Sequence, residues 1–243
     1  KKKFTIFAPQ RLGLEKGYDV IWDAINLCKS DFDFLQVKWF IESNRGGTTV
    51  MDPSKLSKIT MELYENAPPQ VKFIPLIDHK DLGRYFAAAD AIMGQMQTGV
   101  QGGIEREASF CKKPVISYND PNRKTILDGK NFESSFLPKS RDPNELAKLI
   151  DKIVESKEFR DDLAAKEYEY IKNLSTPELV MKDWEFVFER LGKKYKTIDR
   201  ETSFYEKIVN YFGLSLERFY IKKFREKNIQ ARGEKEYELL TRR

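Results

Sequence analysis

The stretch from Gln95 to Tyr118 constrains the fold of this chain more than any other part of the sequence. It reads QMQTGVQGGIEREASFCKKPVISY. A strand at 91–95 leads into a glycine-bearing loop, which is followed by a short helix at 104–111 and a second apolar strand at 114–118. This order of strand, loop, helix and strand predicts one unit of a parallel α/β sheet.

The loop of this unit has the features of an anion-binding site. Its glycines, Gly99, Gly102 and Gly103, allow backbone amides to approach a ligand closely. The helix that follows offers unpaired N–H groups and a partial positive charge at its N-terminus. We therefore expect an anionic group to bind here.

Strands and helices alternate over most of the chain. Apolar runs of strand length cover 4–8, 34–41 and 71–75. Helical patterns follow at 20–28, from about Ser54 and after the N-cap Asp78, and two more cover 143–155 and 159–174. A turn at Asp128-Gly129 and a short edge strand lie between the last of the predicted strands and these two final helices. This alternation predicts a parallel sheet with helices on both faces. Since ligands of such sheets bind at the carboxyl ends of the strands, we expect the loops 10–17, 76–79 and 96–103 to converge there.

From Thr176 onward the pattern contains helices alone. Apolar residues at helical spacing predict helices at 177–191 and 204–223, followed by a highly charged, exposed end. We therefore divide the chain into an α/β domain, residues 1–175, and a C-terminal helical extension, residues 176–243.

Composition favours a soluble globular protein in the cytoplasm. The chain has 243 residues, 40% hydrophobic and 33% charged, with a net charge of +5 and no apolar run of membrane-spanning length. Cys28 and Cys111 have no metal-ligand or redox spacing, which predicts reduced, buried thiols. A single histidine argues against zinc. The sequence begins almost directly in a strand without an initiator methionine, so we expect it to be part of a longer protein.

The loop after the first strand contains two cations, Arg11 and Lys16, before Gly17 opens the next helix. A diphosphate would be held well by this arrangement, because arginine supplies a planar fork of donors and lysine a mobile charge. The alternative is that both are solvated, with Glu15 paired to one of them. Their spacing alone favours neither interpretation.

Three further side chains could take part in chemistry. Glu105 and Glu107 lie two residues apart on a helix, so only one can face the cleft, and acidic residues in a first helical turn are common for structural reasons alone. His79 could act as an acid or base, because histidine is the residue type that most often does so near neutral pH, although a lone loop histidine is more often ordinary surface.

The aromatic and basic tail, SFYEKIVNYFGLSLERFYIKKFREK, has three interpretations. It could pack on the body of the protein, lie on an anionic membrane surface, or bind single-stranded nucleic acid. Aromatic residues at helical spacing favour packing. Glu206, Glu217 and Glu226 interrupt the basic face and weaken the nucleic-acid interpretation.

Four segments in order resemble the C-terminal, donor-binding domain of a retaining GT-B glycosyltransferase of group 1 (family 4-like). They are APQRLGLEKGYDVIWDAI, VKFIPLIDHKDLGRYFAAADAIM, TGVQGGIEREASFCKKPVIS and ILDGKNFESSFLP. The resemblance runs from Phe4 to Leu191. It implies a Rossmann-like, nucleotide-sugar-binding half of an enzyme that needs no metal and no cofactor, with an N-terminal acceptor domain elsewhere in the same longer chain. The sugar, the base and the acceptor, whether sugar, lipid or protein, stay open, as does peripheral membrane contact.

The resemblance also assigns roles to residues. Arg11 and Lys16 match the cations that hold the donor diphosphate, and these are the catalytic side chains that it implies. Glu107 matches the acidic residue that binds the donor ribose, Gly102 and Gly103 match the loop against phosphate and sugar, and 75–77 matches the backbone that meets the base.

One position departs from the family pattern. The family has a glutamate eight residues before the position of Glu107, where this chain has Gly99. That carboxylate contacts the donor sugar near the reacting carbon. Its absence leaves two functions open: a glycosyltransferase donor domain, or a non-catalytic module that binds nucleotide-sugars or a partner. A basic nucleic-acid-binding protein is the third and least supported function.

Overall fold

The computed structural model describes residues 3–41, 49–50, 57–123, 125–127, 130–174 and 176–194. The chain divides into two compact units, Lys1–Val187 and Phe188–Arg243, and the central sheet lies in the first. The predicted helix at 204–223, the charged end and the Asp128-Gly129 turn lie outside the described residues. The domain boundary after residue 175 stays a prediction.

The described strands and helices alternate as the sequence indicates. The strands are β1 (Phe4–Ala8), β2 (Phe32–Val37), β3 (Phe40–Ile41), β4 (Thr49–Val50), β5 (Val71–Ile74), β6 (Ala91–Met93), β7 (Val115–Ile116), β8 (Thr125–Leu127) and β9 (Lys130–Phe132). The helices are α1 (Tyr18–Leu27), α2 (Lys58–Glu65), α3 (His79–Ala88), α4 (Gly103–Phe110), α5 (Pro143–Glu155), α6 (Lys157–Leu174) and α7 (Pro177–Lys194), and a 3-10 turn covers Leu14–Lys16.

Five of these strands form one parallel sheet in the order β5-β2-β1-β6-β7. The central strand β1 pairs on both sides, with Ile6 opposite Phe34 of β2 and Ala91 of β6. β3 with β4 and β8 with β9 form two small antiparallel pairs. The predicted α/β class with a parallel, Rossmann-like sheet is confirmed.

Side chains from both faces of the sheet are buried, which explains the continuous apolar runs of its strands. Ile6 and Ala8 point to a core cluster that includes residues of α1 and α5, whereas Phe7 points to a second cluster with residues of α3 and α6. This alternation follows from the two-residue period of a strand. Helices therefore cover the sheet on both faces, as predicted.

Several element limits differ from the predictions. The run 34–41 forms two strands, β2 and β3, rather than one. The helix α2 begins at Lys58, where the hydroxyl of Ser57 caps it by accepting a 3.1 Å hydrogen bond from the Thr60 amide. The predicted helix start near Ser54 lies outside the described residues. The strands predicted at 91–95 and 114–118 are shorter, since the chain leaves the sheet early to build the loops of the candidate site.

The prediction for the cysteines holds in part. Both are free, Cys28 at the end of α1 and Cys111 at the end of α4. Burial raises the pKa of the Cys28 thiol to about 12, which keeps it protonated. Cys28 is half-buried, and Cys111 is exposed rather than buried at the point where α4 ends and the chain turns through Lys112, which has a positive φ.

Apolar residues on α7 are exposed to solvent in the described part of the chain. The sequence places an apolar face on this helix, and Val180, Met181 and Phe186 are all exposed. No helix in the described ranges combines the length and the apolar character that are needed to cross a bilayer.

Candidate functional site

The loops after β1 and β6 are joined directly at the carboxyl edge of the sheet. The amide of Met96 donates a 2.8 Å hydrogen bond to the carbonyl oxygen of Lys16. Gly17 has a left-handed backbone (φ +76°), and a Cβ atom on it would lie 2.8 Å from the Cβ atom of Met96. Glycine is therefore required here by both backbone conformation and space. The predicted convergence of loops 10–17 and 96–103 is confirmed.

A buried network of side-chain amide groups holds the loop after β1 in place. Gln36 donates 2.8 Å hydrogen bonds to the carbonyl oxygens of Gln10 and Val37, and Gln10 donates one of 2.6 Å to the carbonyl oxygen of Gly94. The Tyr18 hydroxyl donates to the side chain of Gln36. Burial raises the pKa of Tyr18, so the phenol stays a neutral donor. The network ties β1, β2, α1 and β6 together.

Gln95 shapes the glycine loop. Its side-chain oxygen accepts hydrogen bonds from the amides of Gln97 (2.8 Å) and Thr98 (2.6 Å), and its side-chain nitrogen donates to the carbonyl oxygen of Val100 (2.7 Å). Because Gln95 itself is buried, these bonds fix the loop to the end of β6.

The structure gives the two neighbouring glutamates different roles. Glu105 is buried, and its carboxylate accepts hydrogen bonds from the amides of Gln95 (2.9 Å) and Gly102 (3.0 Å). It thereby closes the loop at both ends, which is a structural role. Glu107, on the next face of α4, is partly exposed and accepts from His79 of α3, whose Nε2 atom lies 3.2 Å from both carboxylate oxygens.

A pocket of about 270 Å³ opens beside this pair. Its walls come from the carboxyl ends of three strands and from the first turns of α3 and α4, and they are mostly apolar. They include Pro9, Trp39, Leu76, Ile77, His79 and Ile104. The predicted base-binding segment 75–77 thus contributes two side chains to the pocket.

Arg11 and Lys16 both lie in the loop that borders this pocket. The guanidinium carbon of Arg11 is 5.7 Å from the ring centroid of Trp39, a pocket residue. Within the described residues, neither cation forms an ion pair, and Glu15 in particular pairs with neither. The alternative in which Glu15 neutralises one of them is therefore not supported.

The three loop glycines have different surroundings. Gly99 is left-handed (φ +70°), its carbonyl oxygen accepts from the Asp120 amide (3.1 Å), and a Cβ atom on it would lie 2.6 Å from the Cβ atom of Asp120. The amide of Gly102 is already bonded to Glu105. Gly103, the first residue of α4, is exposed, and a Cβ atom on it would meet nothing within 4 Å. Gly103 is therefore the loop glycine with the most open surroundings for a ligand.

Sequence reasoning missed the residues that hold the site in shape. These residues are Gln10, Gln36, Gln95 and Tyr18, and a glutamine within or next to an apolar strand is a signal that could have found the first three. In the part of the chain that the structure describes, no group of three or more His, Cys, Asp or Glu residues is arranged to hold a metal ion.

A parallel sheet with its ligand-ready loops at the carboxyl edge defines a Rossmann-like domain. The family of glycosyl transferases group 1 matches residues 1–170, and the chain belongs to this family. The resemblance found in the sequence is thereby confirmed at the level of the family.

Comparison with individual proteins agrees. The chain is 28% identical over 124 residues to D-inositol 3-phosphate glycosyltransferase of Nocardioides sp. (strain ATCC BAA-499 / JS614), covering 49% of this chain and 26% of that protein. Its fold is similar to HepE of Anabaena in complex with UDP and glucose (19% identity, TM-score 0.55, 79% of this chain and 48% of that chain). It is also similar to sucrose-phosphate synthase of Thermosynechococcus elongatus (20% identity, TM-score 0.57, 80% and 47%). The chain spans about a quarter of the first protein and about half of the other two.

Proposed function

We propose that this chain is the donor half of a glycosyltransferase and binds a nucleotide-sugar at the carboxyl edge of its sheet. The observation that carries the proposal is the joining of the Arg11–Lys16 loop to the glycine loop beside an apolar pocket. Family membership and the UDP and glucose bound in the related fold of HepE support the same ligand class.

The pocket suggests how the ligand lies. The apolar walls at Leu76 and Ile77 suit the base. The Glu107 carboxylate, at the neighbouring rim, suits the ribose hydroxyls. The N-terminus of α4 at Gly103 suits the diphosphate, because the exposed glycine allows close approach.

The mechanism that we propose is electrostatic. Cleavage of the sugar–phosphate bond leaves its electron pair on the diphosphate, whose negative charge grows as the bond breaks. Arg11, Lys16 and the first amides of α4 would stabilise that charge more in the transition state than in the ground state. Each charge-assisted hydrogen bond contributes about 1.5–3 kcal/mol, so two cations suffice to hold the group without a metal. The sugar then forms a bond to the oxygen of an acceptor hydroxyl with retention of configuration, and the proton of that hydroxyl passes to a base that we place in the acceptor domain.

The acceptor side of the reaction belongs to the longer protein in this proposal. This chain covers about half of each of the two solved relatives. We therefore propose an N-terminal acceptor domain in the same polypeptide, with the two domains facing each other across the donor pocket. We propose a cytoplasmic location, because such a donor is available there. If the acceptor is a lipid, we also propose peripheral contact with a membrane.

A non-catalytic nucleotide-sugar-binding module is the second candidate. It is favoured by Gly99, where the family has a glutamate. The structure adds that the backbone of residue 99 is left-handed and that the Asp120 side chain occupies the adjacent space. A glutamate could not simply be accommodated here, so a catalytic version of this site would need its sugar-contacting group from another position.

The function is tested in two stages. A thermal-shift screen of nucleotide-sugars is expected to identify one that raises the melting temperature of the chain, because only a bound ligand stabilises by mass action. The full-length protein is then assayed for transfer from that donor, with EDTA present and with the anomeric configuration of the product read by NMR. Transfer with retention would exclude the non-catalytic module. Stabilisation without transfer to any acceptor supplied would favour it.

A further inference from the structure

One side-chain contact beside the pocket has no counterpart in the sequence patterns. His79 is the first residue of α3, and Glu107 lies on α4. The Nε2 atom of His79 is 3.2 Å from Oε1 and 3.2 Å from Oε2 of Glu107. A ring nitrogen placed equally between two carboxylate oxygens is a shared hydrogen bond, in which Nε2 carries the proton and both oxygens accept it.

The position of His79 connects this contact to the pocket. The imidazole is one of the pocket walls, together with Trp39, Ile77 and Ile104. The same ring therefore borders the pocket and holds the carboxylate at its rim. No other side chain of the described residues forms a hydrogen bond or an ion pair with Glu107.

The neighbouring charges are engaged elsewhere. Lys80 pairs with Asp78 at 3.3 Å, and Arg84 pairs with Asp81 at 3.6 Å. Neither cation of α3 is thus in contact with Glu107. The role of holding this carboxylate falls to the histidine.

This contact does little for stability. The His79 side chain is 80% exposed and that of Glu107 is 43% exposed, and pairs at such exposed sites contribute little to folding. What the contact does is restrict a flexible side chain. A glutamate that is already oriented loses less conformational freedom when a ligand binds to it. A carboxylate has about four acceptor positions, so the imidazole and a pair of vicinal hydroxyls can be accommodated together.

We propose that His79 is a positioning residue that orients Glu107 toward the ribose hydroxyls and so makes the site prefer ribonucleotides to deoxyribonucleotides. The inference rests on the proposed function, since it assumes a nucleotide in the pocket. His79 acts through Glu107 and takes no part in bond cleavage.

The test measures discrimination rather than affinity alone. UDP, GDP and ADP are titrated by calorimetry, and the one that binds most tightly is compared with its 2′-deoxy form. We expect the wild-type chain to prefer the ribonucleotide by about tenfold or more, since hydrogen bonds to a charged acceptor are among the stronger ones. In Glu107→Gln this preference is expected to fall several-fold.

The histidine variants separate positioning from packing. His79→Ala is expected to lower the preference toward that of Glu107→Gln, while the dissociation constant of the deoxynucleotide changes less than about twofold. His79→Gln, whose side-chain amide can still donate, is expected to restore most of the preference. Lys80→Ala, an adjacent exposed substitution, is the control and is expected to leave the preference unchanged. Thermal unfolding verifies that each variant is folded.

The outcomes distinguish this inference from the proposed function. If the wild-type chain binds none of the three nucleotides, both are overturned. If it binds one but shows no preference for ribose, the inference is wrong and the proposed function stands. The inference is also wrong if His79→Ala weakens the ribo and deoxy forms equally, because that result identifies His79 as a pocket wall alone.

Discussion

The amide of Met96 donates a 2.8 Å hydrogen bond to the carbonyl oxygen of Lys16, and through it the cationic loop and the glycine loop become one structure. The bond is made where Gly17 follows Lys16 in a left-handed conformation, with the main chain of Met96 lying 2.9 Å from where a Cβ atom would be. The position of the Lys16 side chain relative to the pocket therefore depends on the smallness of residue 17.

Substitution of Gly17 tests this dependence. We expect Gly17→Ala to lower the free energy of unfolding by about 1–3 kcal/mol, because alanine is strained at φ +76° and its methyl group would contact Met96. Gly83→Ala is the matched control, since Gly83 lies on the exposed side of α3 with nothing within 4 Å of its Cβ position. That substitution is expected to stabilise by roughly 0.5–1 kcal/mol. Equal effects of the two in urea denaturation would contradict the account.

Introducing the family glutamate at position 99 is expected to damage the domain rather than improve it. Gly99→Glu and Gly99→Ala should each destabilise by about 1–3 kcal/mol, because of the positive φ and the Asp120 Cβ and amide atoms at 2.6 and 3.0 Å. Gly103→Ala provides the contrast. The Cβ position of Gly103 is open, so the expected result is unchanged or higher stability together with weaker binding of the tightest-binding of UDP, GDP and ADP. Differential scanning calorimetry and titration measure the two effects, and a stable Gly99→Glu variant would refute the role given to Asp120.

The two glutamates of α4 are expected to respond differently to the same change. Glu105→Gln replaces one acceptor oxygen by a donor, so one of the amides of Gln95 and Gly102 loses its partner in a buried place. We expect a loss of about 1–3 kcal/mol of unfolding free energy. Glu107→Gln, at a partly exposed position, is expected to change stability by less than about 0.5 kcal/mol. Chemical denaturation measures the free energy of unfolding of both variants. A larger loss of unfolding free energy in Glu107→Gln than in Glu105→Gln would reverse the assignment of roles.

A buried carboxyl group gives the domain a predictable dependence on pH. Glu167 of α6 is fully buried, accepts a 2.8 Å hydrogen bond from the Val115 amide through Oε2, and has no partner for Oε1 among the described residues. Burial raises the pKa of Glu167 well above its ordinary value. The folded state therefore keeps a proton that the unfolded state releases above about pH 4.5, and this contribution to stability declines as the pH rises from that value through the folded pKa.

Glu167→Gln is expected to remove this decline, because glutamine has no proton to lose and its oxygen can still accept from Val115. Unfolding free energies at a series of pH values, compared between wild type and variant, provide the measurement. Glu158→Gln, an exposed substitution at the start of the same helix, is the control and should keep the wild-type slope. Parallel pH profiles for wild type and Glu167→Gln would show that Glu167 does not bind the extra proton.

The sequence allowed the sheet and the site's location to be predicted for a simple physical reason. Buried parallel strands need continuous apolar runs, and Phe4–Ala8 and Val71–Ile74 show them clearly. Loops at the ends of such strands must converge, so the sequence alone assigns Arg11, Lys16 and Gly103 to one edge of the sheet.

Other features depend on contacts between distant residues, which periodicity does not reveal. The bond from Gln10 to Gly94 joins residues 84 positions apart, and the contact of His79 with Glu107 joins two helices. Whether Glu105 or Glu107 faced the cleft depended on how far α4 is rotated, which the loop after β6 determines.

We propose above all that Arg11 and Lys16 together hold the diphosphate of a nucleotide. The most direct test is calorimetric titration with the tightest-binding of UDP, GDP and ADP, and with the corresponding monophosphate. The proteins titrated are the wild-type chain, Arg11→Ala, Lys16→Ala and the exposed control Arg84→Ala. We predict that each of the two loop substitutions weakens diphosphate binding by about tenfold or more, with a smaller effect on the monophosphate, and that Arg84→Ala has none. Unchanged diphosphate affinity in both loop variants would contradict the account.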